Sequence, residues 1–311
     1  MRKSLSVVLV LLLAVSLLAS CGGKKAEGKV ELRLRLQEGK AYSTRMVADQ
    51  TITQTAQGQE IKVTQTIGMG YTFDVKKVES DGATLVQVTY DSALYKQDSP
   101  AGKVEYDSAN PPAQVPDAAI GFAALVGQGF SMKLSALGEV LDVQGTDELI
   151  QHMLDQLGLP AGEARDSVET SLKTQFGTEG MKETMEKAMA VYPEKPVGVG
   201  DSWTKKMTLT AGVPIIVDNT WTVKSIQNGV ISLDVRSKVE PNPDAAPMEI
   251  SGMTIAYKVS GTQTGTMTID QATGWTQSGK MTQDLSGDVT VAGSSWPITI
   301  KSDIRFEPVK K

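Results

Sequence analysis

The sequence predicts an α+β protein rich in β-structure, with one or more curved antiparallel sheets built from two similar halves around a helical insertion. Three observations lead to this class. Apolar and polar residues alternate along many segments, a hairpin pattern occurs twice, and helical patterns are confined to the middle of the chain. Strands with one polar face are typical of antiparallel sheets, because parallel strands are buried on both faces. A partial barrel and a sandwich both fit this plan.

The clearest alternation runs from Val30 to Leu36, where apolar residues take turns with charged ones. A period of two is the pattern of a strand with one buried face. The same pattern recurs in four later segments: 71–75, 84–90, 231–235 and 298–306. These segments predict strands in both halves of the chain.

The repeated hairpin pairs residues 71–78 with residues 219–226. Each copy is followed by an Asx-Gly turn and another alternating strand, the turns being Asp81-Gly82 and Asn228-Gly229. Asx-Gly between alternating segments indicates a hairpin, because both residues tolerate a positive φ. Weaker matches join residues 38–42 with 199–203, and the segment around Gly138 with that around Gly274. We interpret the two regions as copies of one plan.

Helical patterns occupy the segment between the halves. Thr146 is predicted to cap a first helix, because Asp147 and Glu148 follow it where the helix dipole favours negative charge. The apolar stripe of this helix would be Leu149, Ile150, Met153, Leu154 and Leu157. A second helix is expected to begin near Pro160.

Two further helices are predicted from apolar residues. A third helix of the insertion carries Met181, Met185 and Met189 at four-residue steps and is expected to end near Pro193. The segment 118–126 is rich in alanine and follows a Pro-Asp pair, so we favour a helix over a buried strand.

The predicted organisation has five parts, in which the two β-rich halves form one globular unit. They are a signal peptide (1–20), a flexible tether (21–29), a first β-rich half (30–145), a helical insertion (146–192) and a second β-rich half (193–311).

The N-terminus has the pattern of an export signal. Arg2 and Lys3 precede an apolar run of about 14 residues, which is shorter than the roughly 20 residues of a membrane-spanning helix. The run ends in Leu18-Ala19-Ser20-Cys21, which resembles the lipobox of bacterial lipoproteins. The resemblance implies cleavage after Ser20 and attachment of lipid to Cys21. Because two or more acyl chains give a stable anchor, the mature protein would be held at a membrane.

The anchor predicts a location in the cell envelope. Gly22 follows the cysteine, and it is not the Asp that retains lipoproteins at the inner membrane of enteric bacteria. We therefore expect the outer membrane in a two-membrane organism and the outer face of the plasma membrane in a one-membrane organism. The whole chain resembles uncharacterised bacterial envelope lipoproteins. More loosely, its plan is similar to that of envelope lipoproteins whose curved sheet is covered by helices and shelters acyl chains.

Composition argues against several classes of function. Acidic residues outnumber basic ones by 36 to 31, and loss of Arg2 and Lys3 with the signal makes the mature chain more acidic. Nucleic-acid binding, which requires a basic patch, is therefore not expected. The single histidine, His152, lies beside polar residues of its helix, so we predict no catalytic base there. One histidine and one acylated cysteine leave no ligand set for a metal, and no cofactor is expected.

The methionines of the third helix lead to the main functional hypothesis. Met181, Met185 and Met189 share one face, and methionine is flexible enough to line adaptable binding surfaces. Packing against the sheet and a thioether site for Cu(I) are the other interpretations, and the absence of Met-x-x-Met repeats disfavours copper. Together with Ile120, Phe122 and Leu125, these methionines are our candidates for the lining of an apolar groove.

We therefore expect a non-enzymatic lipoprotein that binds or carries a lipid or another apolar ligand between sheet and helices. The alternative is a structural or interaction lipoprotein with a solid core, whose exposed strands dock envelope protein partners by strand addition.

Overall fold

The structure is a computed structural model that describes residues 28–309 apart from residues 57, 190–191, 210–212, 246–247, 251–252 and 292. The described strands join into one large antiparallel sheet, and a group of helices comes from the middle of the chain. The predicted class, a β-rich α+β fold with a curved antiparallel sheet, is confirmed. The strands form a single open sheet. The predicted signal peptide, Cys21 and most of the tether lie outside the described residues.

The strands of the sheet are long around its centre and short at its edges. In chain order they are β1 (Ala41–Ala56), β2 (Gln59–Val78), β3 (Thr84–Ser99), β4 (Gly102–Asp107), β5 (Gly129–Leu134), β6 (Val140–Gln144), β7 (Ser202–Leu209), β8 (Ile215–Gln227), β9 (Val230–Pro241), β10 (Met248–Ile250), β11 (Met253–Asp270), β12 (Thr276–Val291) and β13 (Ser294–Glu307).

The strand order across the sheet is β6-β5-β3-β2-β1-β13-β12-β11-β9-β8-β7. The two halves of the chain therefore form the two halves of one sheet, which join where β1 pairs with β13. Two short strands stand beside this path, since β4 pairs with β3 and β10 pairs with β11. Strands β6 and β7 are the two edges.

The sequence repeat is also a repeat of backbone hydrogen bonds. Val75 of β2 exchanges two such bonds of 2.9 Å each with residues 39–40. Val223 of β8 makes the same two bonds, of 2.8 and 2.9 Å, with residues 200–201. The weak match between residues 38–42 and 199–203 thus corresponds to one local structure formed twice.

Both repeated hairpins carry a bulge at the same place. The register of β2 against β3 shifts between Val75 and Lys77, and that of β8 against β9 shifts between Val223 and Ser225. A bulge inserts one residue and increases the local twist of the strand. The two halves of the sheet therefore bend at equivalent positions.

The two predicted Asx-Gly turns differ in detail. Asn228 and Gly229 both have positive φ, 53° and 75°, as a tight two-residue hairpin turn requires. In the first copy Gly82 has a φ of 84°, and the side chain of Asp81 accepts a hydrogen bond of 2.9 Å from the backbone N–H of Ala83. The first turn is thus a longer loop held by its aspartate.

Residues 30–36 are extended but do not form a strand of the sheet, contrary to the prediction. The predicted burial is present, because Leu32, Leu34 and Leu36 are 1%, 2% and 4% exposed. Val30 forms an isolated antiparallel bridge with Val197, and the later backbone contacts are to two turns: Leu34 N–H donates to the carbonyl of Ala136 at 2.8 Å, and Arg35 N–H to that of Thr273 at 2.7 Å. Alternation in a sequence indicates only that one face of the segment is buried. Here the segment pairs mainly with the loops after β5 and β11 instead of with a neighbouring strand.

The helices are α1 (Ile120–Leu125), α2 (Thr146–Gln156), α3 (Glu163–Phe176) and α4 (Thr178–Met189). The predicted helix within residues 118–126 is therefore present as α1. The second helix of the insertion begins at Glu163 rather than near Pro160, and none of its residues is fully buried. Helix α3 is thus the outer helix of the group.

The start of α2 differs from the prediction. Gly145 precedes the helix with a φ of 86°, which glycine adopts without strain. Thr146 is the first helical residue, and its buried hydroxyl lies 3.4 Å from the hydroxyl of Thr178 at the start of α4. Thr146 therefore connects two helix starts instead of capping one.

Two apolar clusters lie on one face of the sheet, which we call the inner face. The main cluster lies beneath the helices and includes Val235 of β9. The distal cluster contains Val239 of β9, four positions further along and so on the same face. Its buried members are Ile215, Val239, Val259, Leu285, Val289 and Ile298.

Candidate functional site

A cavity of about 160 Å³ lies between α4 and the middle of the sheet. Its lining comes from the central strands β1, β2, β11, β12 and β13, from α4, and from the segments beside them. The lining residues are Thr44, Met46, Tyr71, Phe73, Thr184, Met185, Met189, Tyr192, Met267, Trp275, Thr276, Met281 and Phe306. We call this space the methionine cavity.

The described residues that line the methionine cavity are mostly apolar and none is charged. Five of its side chains are methionines, five are aromatic and three are threonines. Thioether side chains are flexible and polarisable, so they adapt to ligands of different shape. This lining favours a hydrocarbon or another apolar group over an ion.

Alternation along strands and helical periodicity bring the lining together. Thr44 and Met46 are two positions apart on β1 and so lie on the same face. Met185 and Met189 are four positions apart on α4 and face the sheet one turn after the other. Thr184 is exposed while Met185 is 5% exposed, so the cavity reaches solvent beside Thr184.

Aromatic rings form one wall of the cavity. The ring of Trp275 lies 5.1 Å from that of Phe73, edge to face, and 5.3 Å from that of Tyr42. Tyr71 continues the wall towards Tyr90, with ring centroids 5.2 Å apart. Such tilted and edge-on pairs are favourable arrangements for aromatic rings, so the rings of this wall stabilise one another.

The tyrosine hydroxyls at the cavity stay protonated at neutral pH. Burial raises the pKa of Tyr71 to about 12 and raises the pKa of Tyr192 well above its usual value. Tyr192 donates its proton in a hydrogen bond of 2.7 Å to the carbonyl oxygen of Gly274. The cavity therefore carries no charge from these phenols.

The volume of the cavity sets what it holds without rearrangement. An engineered apolar cavity of about 150 Å³ stays dry and binds benzene, whereas pockets for drug-sized ligands enclose roughly 300–1,000 Å³. At about 160 Å³ the methionine cavity accommodates one short apolar segment. A longer ligand requires displacement of the flexible methionines or of α4.

The candidate residues from the sequence fall into two groups in space. Met185 and Met189 line the methionine cavity. Met181 is buried elsewhere, and its sulfur lies 3.9 Å from the hydroxyl oxygen of Tyr90. Phe122 of α1 stacks on Tyr95 with ring centroids 4.7 Å apart. Leu125 is buried and Ile120 half-buried on the same helix. Ile120, Phe122 and Leu125 pack away from the cavity rather than lining it.

Most of the cavity was not identifiable from the sequence. Met46, Met267, Met281 and Phe306 come from strands that are far apart in the chain and adjacent in the sheet. Each is one apolar residue within an alternating strand, which indicates burial but not a shared cavity. The signal in the sequence that points to the cavity is a methionine at an inner-face position on each of the strands β1, β11 and β12.

A row of uncharged polar side chains crosses the inner face between the main and distal clusters. The strand registers place one member opposite the next on eight consecutive strands from β8 to β3. The members, which we call the amide row, are Asn219, Ser237, Gln263, Gln283, Ser302, Gln50, Gln65 and Gln97. On the edge strand β7 the next residue in register is Lys205.

Hydrogen bonds connect parts of the amide row. Gln65 donates to Gln50 at 2.6 Å, and Gln50 donates to Ser302 at 3.2 Å. Gln283 donates to Gln263 at 3.5 Å, the upper limit for such a bond. Gln263 in turn donates to the sulfur of Met281 at 2.7 Å. Because Met281 lines the methionine cavity, the amide row and the cavity are in direct contact.

Other features of the described residues are less suited to binding an apolar ligand. His152 is half-buried on α2. Among the residues that the structure describes, no three His, Cys, Asp or Glu side chains are grouped as a metal site requires. None of the helices described between residues 28 and 309 is long and apolar enough to cross a membrane. An open groove of about 560 Å³ is lined by charged residues such as Lys103 and Asp98, which pair at 2.8 Å, and by four members of the amide row, Gln50, Gln65, Gln97 and Ser302.

Comparison with known families places the chain in one of them. The model of a family of unknown function, DUF6263, matches residues 81–276, and the chain belongs to this family. The match includes the helices and seven of the thirteen lining residues of the cavity, between Thr184 and Thr276. No curated protein matches the chain.

Proposed function

We propose that this member of the DUF6263 family is a lipid-anchored, non-enzymatic protein of the bacterial cell envelope that binds or carries a lipid or another apolar ligand. The ligand site is the methionine cavity between α4 and the sheet. One observation carries this proposal: the thirteen lining side chains that the structure describes include no charged group.

The composition of the lining supports ligand binding over simple packing. A packed core leaves few voids larger than a water molecule, because gaps forfeit contacts between side chains. Here a cavity of about 160 Å³ persists beneath a helix and reaches solvent beside Thr184. Burial of a ligand alkyl chain there is worth about 0.8 kcal/mol for each methylene group.

The proposed anchor is tested separately from the cavity. Cells that express the full chain are labelled with radioactive palmitate and fractionated. We expect label on the protein and recovery in the membrane fraction, and loss of both in Cys21→Ala. Recovery of unlabelled wild-type protein in the soluble fraction would contradict the anchor and leave the cavity untouched.

The cavity is tested with residues 24–311, which contain every strand and helix of the described fold. Protein purified without detergent is extracted with organic solvent, and the extract is analysed by mass spectrometry for lipid. Binding of the apolar dye Nile red is measured in parallel. We expect co-purifying lipid or dye binding, whereas an empty protein that ignores the dye would overturn the proposal.

A pair of variants locates the bound dye. Met185→Trp fills the cavity and is expected to weaken Nile red binding at least tenfold. Val168→Trp adds the same side chain on the outer helix α3, where Val168 is half-buried, and serves as the control. Equal affinities of the two variants would place the dye elsewhere.

The second candidate function is docking of envelope protein partners. The observation that favours it is that β6 and β7 are open edges of the sheet, to which a partner can add a strand. Crosslinking in intact cells tests this function. A specific partner that is lost in the Lys206→Pro variant of β7 would support it, because proline removes a backbone donor.

A further inference from the structure

The side chain of Gln263 lies where the methionine cavity meets the amide row. The acceptor of its hydrogen bond there is a weak one. Its side-chain amide donates to the sulfur of Met281, and a thioether is a poor acceptor compared with oxygen. Asn219, at the far end of the row, likewise donates to a sulfur, that of Met207 at 3.4 Å. An oxygen atom of a ligand is a better partner for either amide than the methionine it now has.

The surroundings of Gln263 favour an uncharged group. Its neighbours in the amide row, Ser237 and Gln283, are neutral. The described residues that line the cavity together with Met281 are neutral as well. A charged group placed among half-buried neutral amides loses hydration without gaining a counter-charge, which costs free energy. A hydroxyl, ester or amide loses less and gains hydrogen bonds.

Strands β11 and β12 approach each other closely on both sides of Gln263. Gly261 and Gly265 flank it on the inner face of β11, two positions away on either side. A Cβ atom at Gly265 would clash with the carbonyl oxygen of Lys280 and lie 2.7 Å from Cγ of Met281, so the β12 backbone and the Met281 side chain both lie against this glycine. Rotation of the flexible Met281 side chain therefore exposes the Gln263 amide to the cavity.

We propose that the methionine cavity and Gln263 together select an amphiphile with an uncharged, oxygen-bearing headgroup attached to an alkyl segment. The alkyl segment enters the cavity, and a headgroup oxygen replaces the Met281 sulfur as the acceptor for Gln263. Gln283 and the rest of the amide row supply further neutral donors and acceptors. This inference rests on the proposed function and names the ligand class of the same site.

The experiment compares three probes that share an eight-carbon chain: octyl glucoside, octyl sulfate and octyltrimethylammonium. Each is titrated below its micellar concentration into residues 24–311, with displacement of Nile red as the readout. We expect octyl glucoside to bind at least tenfold more tightly than either charged probe. Folding of the variants used in the next step is checked by circular dichroism and thermal unfolding.

Substitutions at the contact between Gln263 and Met281 give opposite expected results. Gln263→Leu is expected to lower the affinity for octyl glucoside about fivefold, the value of one hydrogen bond of about 1 kcal/mol. Met281→Leu keeps the volume but removes the competing sulfur, so the affinity for octyl glucoside is expected to rise. Gln263→Glu is expected to shift the preference to octyltrimethylammonium. Thr262→Val, on the exposed face of β11, is the control.

The outcomes separate this inference from the proposed function. If the three probes bind equally and the Gln263 variants bind like the wild type, headgroup selection is wrong while the cavity remains a ligand site. If neither Nile red nor any octyl probe binds, the proposed function itself is wrong.

Discussion

The hydroxyl of Tyr192 donates a hydrogen bond of 2.7 Å to the carbonyl oxygen of Gly274, in the turn between β11 and β12. The same ring lies against the turn between β5 and β6, since a Cβ atom at Gly138 would be 2.9 Å from Cε2 of Tyr192. Gly138 and Gly274 occupy the two turns that the sequence repeat relates, with φ of 77° and 74°. One side chain therefore fastens the end of the helical insertion to both halves of the sheet.

Tyr192→Phe is expected to destabilise the protein. The variant keeps the buried ring but leaves the Gly274 carbonyl without its hydroxyl partner, at a cost of about 1–3 kcal/mol. Urea denaturation measures the free energy of unfolding. Tyr257→Phe, in the distal cluster, is the matched control, and equal effects of the two substitutions would contradict the role given to Tyr192.

Alkaline pH is expected to lower stability through Tyr192. Burial raises its pKa in the folded state above the unfolded value of 10. Its contribution is therefore complete below pH 10 and is lost as pH rises towards the folded-state pKa, because the unfolded state releases the proton first. Denaturation is measured between pH 9 and 11.5. Above pH 10 the free energy of unfolding should fall less steeply for Tyr192→Phe than for the wild type, by up to about 1.4 kcal/mol for each pH unit. Parallel declines would refute this linkage.

Gly138→Ala is expected to disturb the seat of α4. The new Cβ atom would face the carbonyl oxygen of Met189, the last residue of α4, at a distance that forces one of them to move. Gly293→Ala is the control, because Gly293 has a similar φ of 82° but open space around it. Both variants bear the backbone cost of about 1–2 kcal/mol, and we expect Gly138→Ala to be the less stable and to change Nile red affinity. If Gly138→Ala and Gly293→Ala were equally stable, α4 would move away from the new Cβ atom at no cost in free energy.

Leu34→Ala is expected to be as costly as a substitution in the sheet core, although Leu34 belongs to no strand. The side chain is 2% exposed in the main cluster, and such truncations cost about 2–5 kcal/mol. Leu141→Ala on the edge strand β6, where Leu141 is 49% exposed, is expected to be nearly neutral. A neutral Leu34→Ala would mean that the N-terminal segment contributes little to the fold.

Local patterns in the sequence predict most of the fold. Alternation places β2, β3, β9 and β13, and the Asn228-Gly229 pair identifies a tight hairpin because few residues tolerate its φ values. The pattern at residues 30–36 misleads about partners, since burial on one face is the same beside a strand or a loop. Gly145 rather than Thr146 precedes α2, because a positive φ is needed where the chain leaves β6.

The site is less predictable than the fold, because it depends on neighbours across the sheet. Met185 and Met189 are recognisable from helical spacing, but Met46 and Met281 meet them only through the strand order. Gln263 has threonines on both sides in the chain, so it reads as an ordinary polar position. Its place beside Met281 depends on the register of β11 against β12.

The pairing of β1 with β13 has a consequence for how the chain folds. These are the first and last strands of the sheet, and they meet at its centre through residues 45–54 and 298–307. Contacts between such distant segments form slowly, because a long loop must close first. A nascent chain that lacks its final strand holds two half-sheets with an unpaired edge between them. Assembly of the complete sheet, and of the cavity wall that Phe306 supplies, therefore waits until β13 has been synthesised.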